Sequence, residues 1–285
     1  MPELKVSPKG RRYGAFPSRV DHRDYGLPFH LMTATGPMPA KVSLTGSIGP
    51  VKNQGSQGSC DGHAWSSQGE RLFRFVKGTS PIFAPAFTYY MIRESEGTLS
   101  QGDCGGQIVT GGIVSDRNPG AAGFGYCTED QMPYNEADCM SAPTSAALAA
   151  AATFPGGSYH NIGNNIASMK SCIASGYSFV IGIAVYDSFE SDGPEESGLI
   201  PFPSSSENLL GYHALHCGMM ADDTIQCPGS PKPGAIMFQN SWGTAWGTEC
   251  PLSGERGFAW LPYDFLADQN LCTDVRLSHL GPAWK

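Results

Sequence analysis

Three residues of this chain sit where side-chain chemistry is easiest to arrange: a cysteine where a helix starts, a histidine heading an apolar strand, and an asparagine ending another strand. Gln54-Gly55-Ser56-Gln57-Gly58-Ser59-Cys60 is a glycine-punctuated loop that runs straight into a helical pattern. At that junction unpaired backbone N–H groups and the macrodipole favour negative charge on Cys60, and the thiolate is the reactive form of cysteine. The Cys60 backbone N–H and an amide N–H of Gln54 are candidate donors to a developing oxyanion. Gly211-Tyr212-His213-Ala214-Leu215 supplies a base. Phe238-Gln239-Asn240-Ser241-Trp242-Gly243 supplies a carboxamide that can accept the second ring N–H of His213 and fix its tautomer. Trp242 would shield that bond from water, and Trp246 would line the leaving-group side. Cys60 lies 153 residues before His213, and His213 lies 27 before Asn240, so the partners must meet in space rather than in sequence. Taken alone, the Cys60 segment also fits a buried cysteine near a helix start, with glycines that only make a turn.

Neighbouring residues offer rival chemistry. His216 is three residues from His213, on the opposite face of a strand, and reads as a satisfied or exposed histidine. His63, one helical turn from Cys60, lacks an orienting partner and reads as a bystander. His213, His216, Cys217 and Cys227 can be taken as a zinc set, but His-x-x-His-Cys on a strand does not converge on a tetrahedral ion. The thiol chemistry needs neither a metal nor a cofactor.

The positioning elements follow from pattern. Ala64, Trp65, Gly69, Leu72, Phe73 and Val76 build one apolar stripe, which predicts a helix over 59–77 that Gly78 ends. Further helices are expected over 86–94, 106–118, 143–152 and 164–176. Short β-forming runs follow at 179–186, 215–220, 235–239 and 258–261, with an exposed Pro/Ser-rich loop over 190–207. Helices first and strands afterwards argue for an α+β fold with segregated lobes. The expected division is an extended arm at 1–45 and one body at 46–285, helical over roughly 50–142 and β over roughly 143–285.

Bulk properties narrow the function. The chain has 285 residues, 40% hydrophobic, and a net charge of -8, which argues against a nucleic-acid partner. No apolar run approaches a membrane span. The first residues, MPELKVSPKGRRYGAF, lack the apolar region of a secretory leader. The expectation is a protein that stays in the cell or virion, or leaves by a route needing no such signal. Nine cysteines leave eight after a catalytic thiol, so one or more disulfides are expected alongside the alternative of buried thiols.

With these residues in place the sequence resembles the papain-like cysteine peptidase family, and more closely its prokaryotic and viral members than the plant or lysosomal ones. The resemblance runs from about Tyr13 to Leu280. Val51-Lys52-Asn53-Gln54-Gly55 is similar to the family's oxyanion motif, Gly58-Ser59-Cys60 to its nucleophile motif, and His213-Ala214 and Asn240-Ser241-Trp242-Gly243 to the other two. Phe87-Thr88-Tyr89-Tyr90, Met132-Pro133-Tyr134 and Leu261-Pro262-Tyr263-Asp264-Phe265 resemble further landmarks. Gly105-Gly106 resembles the glycine pair whose backbone pairs with an extended peptide. The resemblance implies a two-lobe fold, a helical left lobe and an antiparallel β-barrel-like right lobe with the active site between them. It also implies an extended peptide or protein substrate.

Four departures stand out. Asp61 replaces an aromatic residue and would oppose the thiolate unless it points to solvent or pairs elsewhere. Gln57 replaces a cysteine, which leaves Cys104 without its usual mate. Thr248–Gly254 reads as an insertion. The stretch ahead of Val51 is too short for the family's inhibitory pro-region, so residues 1–45 are expected to wrap the body and cross the cleft. Besides an active endopeptidase, a structural protein keeping the peptidase fold, for example in a viral particle, and a thiol amidase acting on cell-wall peptides use the same features.

Overall fold

The computed structural model describes residues 4, 6–19, 25–26, 37–44, 48–117, 121 and 123–279. Most of residues 20–36, and Leu280 at the end of the resemblance, lie outside the described residues.

The strands are β1 (Ala15–Phe16), β2 (Tyr25–Gly26), β3 (Lys41–Ser43), β4 (Gly106–Gln107), β5 (Ser158–Asn161), β6 (Phe179–Tyr186), β7 (Leu209–Asp222), β8 (Ala235–Gln239), β9 (Thr248–Glu249), β10 (Arg256–Pro262) and β11 (Cys272–His279). The helices are α1 (Cys60–Lys77), α2 (Pro85–Glu96), α3 (Ile108–Ser115), α4 (Ser145–Thr153), α5 (Ile166–Ala174), α6 (Asp192–Ser197) and α7 (Tyr263–Ala267).

α1 ends at Gly78, whose φ of 76° lets its N–H return to the Arg74 carbonyl. α2 starts with Pro85 in its first turn, where a missing N–H costs nothing, and closes on left-handed Gly97. α3 begins two residues later than the pattern predicts, because Gly106-Gln107 is drawn into parallel pairing with β1.

The large sheet runs β2-β5-β11-β6-β7-β8-β10-β9, with β3 also on β7. β6 is buried along almost its whole length, which is why it reads as an unbroken apolar run. Phe179, Ile181, Ile183 and Val185 enter the larger core, while Val180 faces a second cluster with Cys60, Ala64, Trp65 and Ala214. Side chains of this kind contribute about 1.5–3 kcal/mol each on burial. That second cluster is the seam where α1 lies on the sheet, and it sets Cys60 beside the residue that follows His213. Ala147 and Ala151 of α4 join a third cluster with Phe87, Met91 and Ile92 of α2.

The fold is α+β, but three expectations need correction. The sheet is not a barrel: its end strands β2 and β9, two residues each, pair with one neighbour apiece and not with one another. The 190–207 segment is not wholly a loop. A 3₁₀ turn at Asp187–Glu190 leads into α6, which tolerates Pro194 within its first turn and ends on left-handed Gly198. No disulfide forms: all nine cysteines are free thiols, eight of them buried and seven of those within the apolar clusters. Among the described residues no helix is long and apolar enough to cross a membrane.

Candidate active site

Cys60 is the first residue of α1 and is fully buried. Its N-cap Ser59 does not cap with its side chain; the hydroxyl bonds instead to the Tyr134 hydroxyl at 2.7 Å. Tyr134 also donates to the Gln54 carbonyl at 2.9 Å, so one phenol ties the Gln54 loop to the start of the helix. The Gly58 N–H is held by both carboxylate oxygens of Asp103, each at 3.0 Å.

His213 lies in β7, and its Nε2–H donates to Asn240 Oδ1 at 2.9 Å. An amide oxygen can only accept, so the proton sits on Nε2 and Nδ1 keeps a free lone pair. Nδ1 is buried with no hydrogen-bond partner. The Asn240 oxygen also accepts from the Ser241 N–H at 2.8 Å, which fixes its orientation. Trp242 stacks on His213 with centroids 5.1 Å apart and planes 23° from parallel, covering the bond as expected. Burial pulls His213 down to about 4; the Asn240 bond opposes that shift and the nearby Arg11 charge adds to it.

Gln54 is anchored at both ends of its amide. Oε1 accepts from the Ser241 hydroxyl at 2.5 Å, and Nε2 donates to the Gln57 carbonyl at 2.8 Å. A second, longer contact of 3.4 Å runs from Nε2 to the Arg12 carbonyl. Backbone bonds from Gln54 N to Ser241 O and from Gly243 N to Lys52 O stitch residues 52–54 to 241–243. Gln54 and the Asn240 segment therefore move as one piece. Lys52 in turn bonds the fully buried Glu70 of α1 at 2.6 Å.

Asp61 is buried and accepts from the Cys60 thiol at 3.7 Å. Burial first, and then the Glu96 carboxylate, push Asp61 well above the ordinary carboxyl range. Burial thus favours its protonated form, while any charge it carries opposes the neighbouring thiolate. Cys60 itself is pushed up, chiefly by burial and then by Asp61, while the backbone N–H groups of Ala214 and Gly14 pull the other way.

The cause of that burial is the N-terminal arm, which crosses the site. The Gly14 N–H is aimed at the sulfur, and the Gly14 carbonyl accepts from Gly106 at 2.8 Å. A Cβ on Gly14 would lie 1.7 Å from the Gly58 carbonyl oxygen, so only glycine passes there. A Cβ on Gly105, at φ +74°, would lie 2.1 Å from the Gly14 oxygen. Ala15 and Phe16 continue along Gly106 and Gln107. Tyr13 meets His213 edge-on at 5.7 Å and donates to Glu190 at 2.5 Å, and the Arg11 guanidinium sits 3.8 Å over the Trp242 ring.

The fold thus brings Cys60, His213, Asn240, Gln54, Trp242 and the Gly105-Gly106 backbone to one seam. Trp246 is not part of its surface: it is 2% exposed and packs behind Trp242 against Phe189 and Phe238. His216 is a satisfied core residue, bonded to Gln239 and Ser178. His63 bonds the Ser59 carbonyl and packs on Tyr134. Asp103, Tyr89 and Glu190 were missed by sequence reasoning, since single polar residues in loops give no periodic signal. Tyr134 was visible only as a landmark without a role.

This open sheet with α1 on one face and α5 on the other, and a cysteine-headed helix meeting a histidine-bearing strand, is the papain-like fold. By fold and site the chain is a cysteine peptidase similar to the papain-like ones. It matches the solved structure of xylellain, a cysteine protease from Xylella fastidiosa, at 27% identity and TM-score 0.79, covering 99% of each chain. A peptidase C1-like protein of Acanthamoeba polyphaga mimivirus is 25% identical over 95% of this chain and 88% of its own length. Bromelain from Ananas comosus shares the fold at TM-score 0.62 and 18% identity, covering 85% of this chain and all of that one. No family model matches the chain.

Proposed function

We propose that this peptidase is an endopeptidase in which Cys60 is the nucleophile, His213 the base and Asn240 the residue that holds the imidazole in line. The observation that carries this reading is the His213 Nε2–H bond to Asn240 at 2.9 Å. It leaves Nδ1 unprotonated and unpartnered on the residue beside Ala214, whose N–H reaches the Cys60 sulfur.

In the reaction His213 Nδ1 takes the thiol proton as the sulfur adds to the scissile carbonyl. The new oxyanion takes hydrogen bonds from the Cys60 N–H and from the Gln54 Nε2–H that otherwise meets the Arg12 carbonyl. The imidazolium then passes its proton to the leaving amine, and a thioester remains. His213 next takes a proton from water, hydroxide character adds to the thioester, and the acid is released with the thiol restored. The substrate is an extended peptide paired along Gly105-Gly106 in place of arm residues 14–16.

The arm holds the enzyme closed in this reading. The Gly14 N–H favours charge on the sulfur, and the Gly14 carbonyl is taken by the Gly106 N–H at 2.8 Å. The same burial of Cys60 favours the second reading, a silent structural relative. Substitution separates them. Cys60→Ala should cut peptide hydrolysis by roughly 10⁴-fold or more with unchanged circular dichroism and melting temperature. Retained turnover would assign the reaction to another nucleophile.

A further inference from the structure

We infer that the leaving-group side of the cleft is a subsite for basic side chains, formed by Glu190, Asp192 and Glu195 around the Trp242 face, so that the enzyme selects peptides carrying Lys or Arg just after the scissile bond. The inference rests on the peptidase reading above and adds its substrate class.

The side is set by proton transfer. The imidazole that protonates the leaving amine must stand beside it, so the departing half of the peptide runs past His213 and the Trp242 ring stacked on it. The arm already places two cations along this path. Arg11 lies over Trp242 at 3.8 Å, and Lys9 bonds Asp192 at 3.0 Å and Glu195 at 2.8 Å. An aromatic face with carboxylates at its edge is a site for a guanidinium or an ammonium.

The arm serves this site incompletely. Glu190 is 5% exposed; its Oε1 takes the Tyr13 hydroxyl at 2.5 Å, while Oε2 is buried without a hydrogen-bond partner. Arg11 Nη1 stands 3.9 Å from Oε1, beyond hydrogen-bond length, and also lacks a hydrogen-bond partner. The two groups are ion-paired at 3.9 Å but not hydrogen-bonded, and buried polar atoms without a hydrogen bond are costly. A peptide whose basic group reaches Oε2 gains what the arm forgoes, which gives such a peptide the means to displace the arm. Asp192 and Glu195 stand on α6, directly after the 3₁₀ turn that carries Glu190, and their side chains are 86% and 41% exposed. They are open to an incoming chain, and changing them leaves the core untouched.

The test uses the full chain and internally quenched peptides with a degenerate acyl half and a leaving half carrying two lysines, two alanines or two glutamates. Cleavage sites are read by mass spectrometry. The lysine peptides should be cut with kcat/KM about tenfold above the alanine peptides and further above the glutamate peptides. D192N/E195Q should bring the lysine-to-alanine ratio near one, and D192K/E195K should invert the order toward glutamate. These variants also loosen Lys9, but a looser arm raises all rates together and cancels in the ratio. Equal rates on all three peptides in the unaltered enzyme, or a preference that survives D192K/E195K, would overturn the proposal while leaving the peptidase reading intact. No hydrolysis of any peptide by the three proteins, even when each also carries Gly14→Ala to lift the arm, would remove that reading, and this one with it.

Discussion

The two walls of the cleft recognise a chain by different physics. On one, Gly105 and Gly106 present backbone alone, and added Cβ atoms would strike the Gly14 oxygen at one and the Ile92 side chain at the other. On the other, Glu190, Asp192, Glu195 and Trp242 present charge and an aromatic face. A backbone wall demands an extended conformation but reads little of the sequence, whereas a charged wall reads side chains and tolerates changes of shape. Selectivity and catalytic fit are therefore separable in this enzyme, and substitutions on either wall should affect one without the other.

The largest effect is expected on the backbone wall. Gly105→Ala forces a side chain into a left-handed conformation, a strain of about 1–3 kcal/mol. Turnover should fall roughly ten- to a hundredfold for lysine, alanine and glutamate peptides alike, in steady-state kinetics. A loss confined to one peptide class would erase the distinction between the walls.

A smaller effect comes from pH. Burial under the arm holds His213 at about 4, below its ordinary 6.5. Arm release returns the ring to water and restores its proton affinity, so the released form binds more protons between pH 4 and 6.5. Lowering the pH through that window must then favour release, by roughly twentyfold between pH 7 and pH 5. Hydrogen exchange at amides 12–16, corrected for intrinsic rates, should rise accordingly between pH 7 and pH 5. Flat protection would mean that the arm does not govern the histidine's hydration.

Salt gives the smallest expected change and sharpens the contrast. Asp192 is 86% and Glu195 41% exposed at the side chain, so ions should screen them. The preference for lysine peptides should shrink about two- to threefold between 0.05 and 0.5 M NaCl, while alanine peptides respond weakly. An equal response of both peptide classes would argue that the selectivity is not electrostatic.

Much of this architecture was written in local pattern. The stripe of α1, the left-handed stop at Gly78 and the buried run of β6 are periodic signals, and the structure returns them within a residue or two. β11 was overlooked although Val275 and Leu277 alternate with Arg276 and Ser278, because an arginine and an aspartate masked the apolar face. Helix α6 was hidden by Gly193 and Pro194, which read as breakers when they occupy a first turn. At the site, Cys60, His213 and Asn240 announced themselves by type and order. Those that brace them did not: Asp103 on Gly58, Tyr134 on Gln54 and Ser59, and Glu190 on Tyr13 are contacts 45 to 177 residues apart in sequence. The route of the arm was suggested only by its length, and its fit depends on Gly14, one glycine among 36.

The central claim is that Cys60 becomes the reactive thiol once the arm lifts. Alkylation by an epoxide or vinyl-sulfone inactivator, followed by peptide mapping, tests it in the unaltered protein and in Gly14→Ala, whose side chain cannot pass the Gly58 carbonyl. Cys60 should be modified faster than the part-exposed Cys139 in both proteins, and faster still in Gly14→Ala. Modification of Cys60 no faster than Cys139, with no gain in Gly14→Ala, would contradict the account.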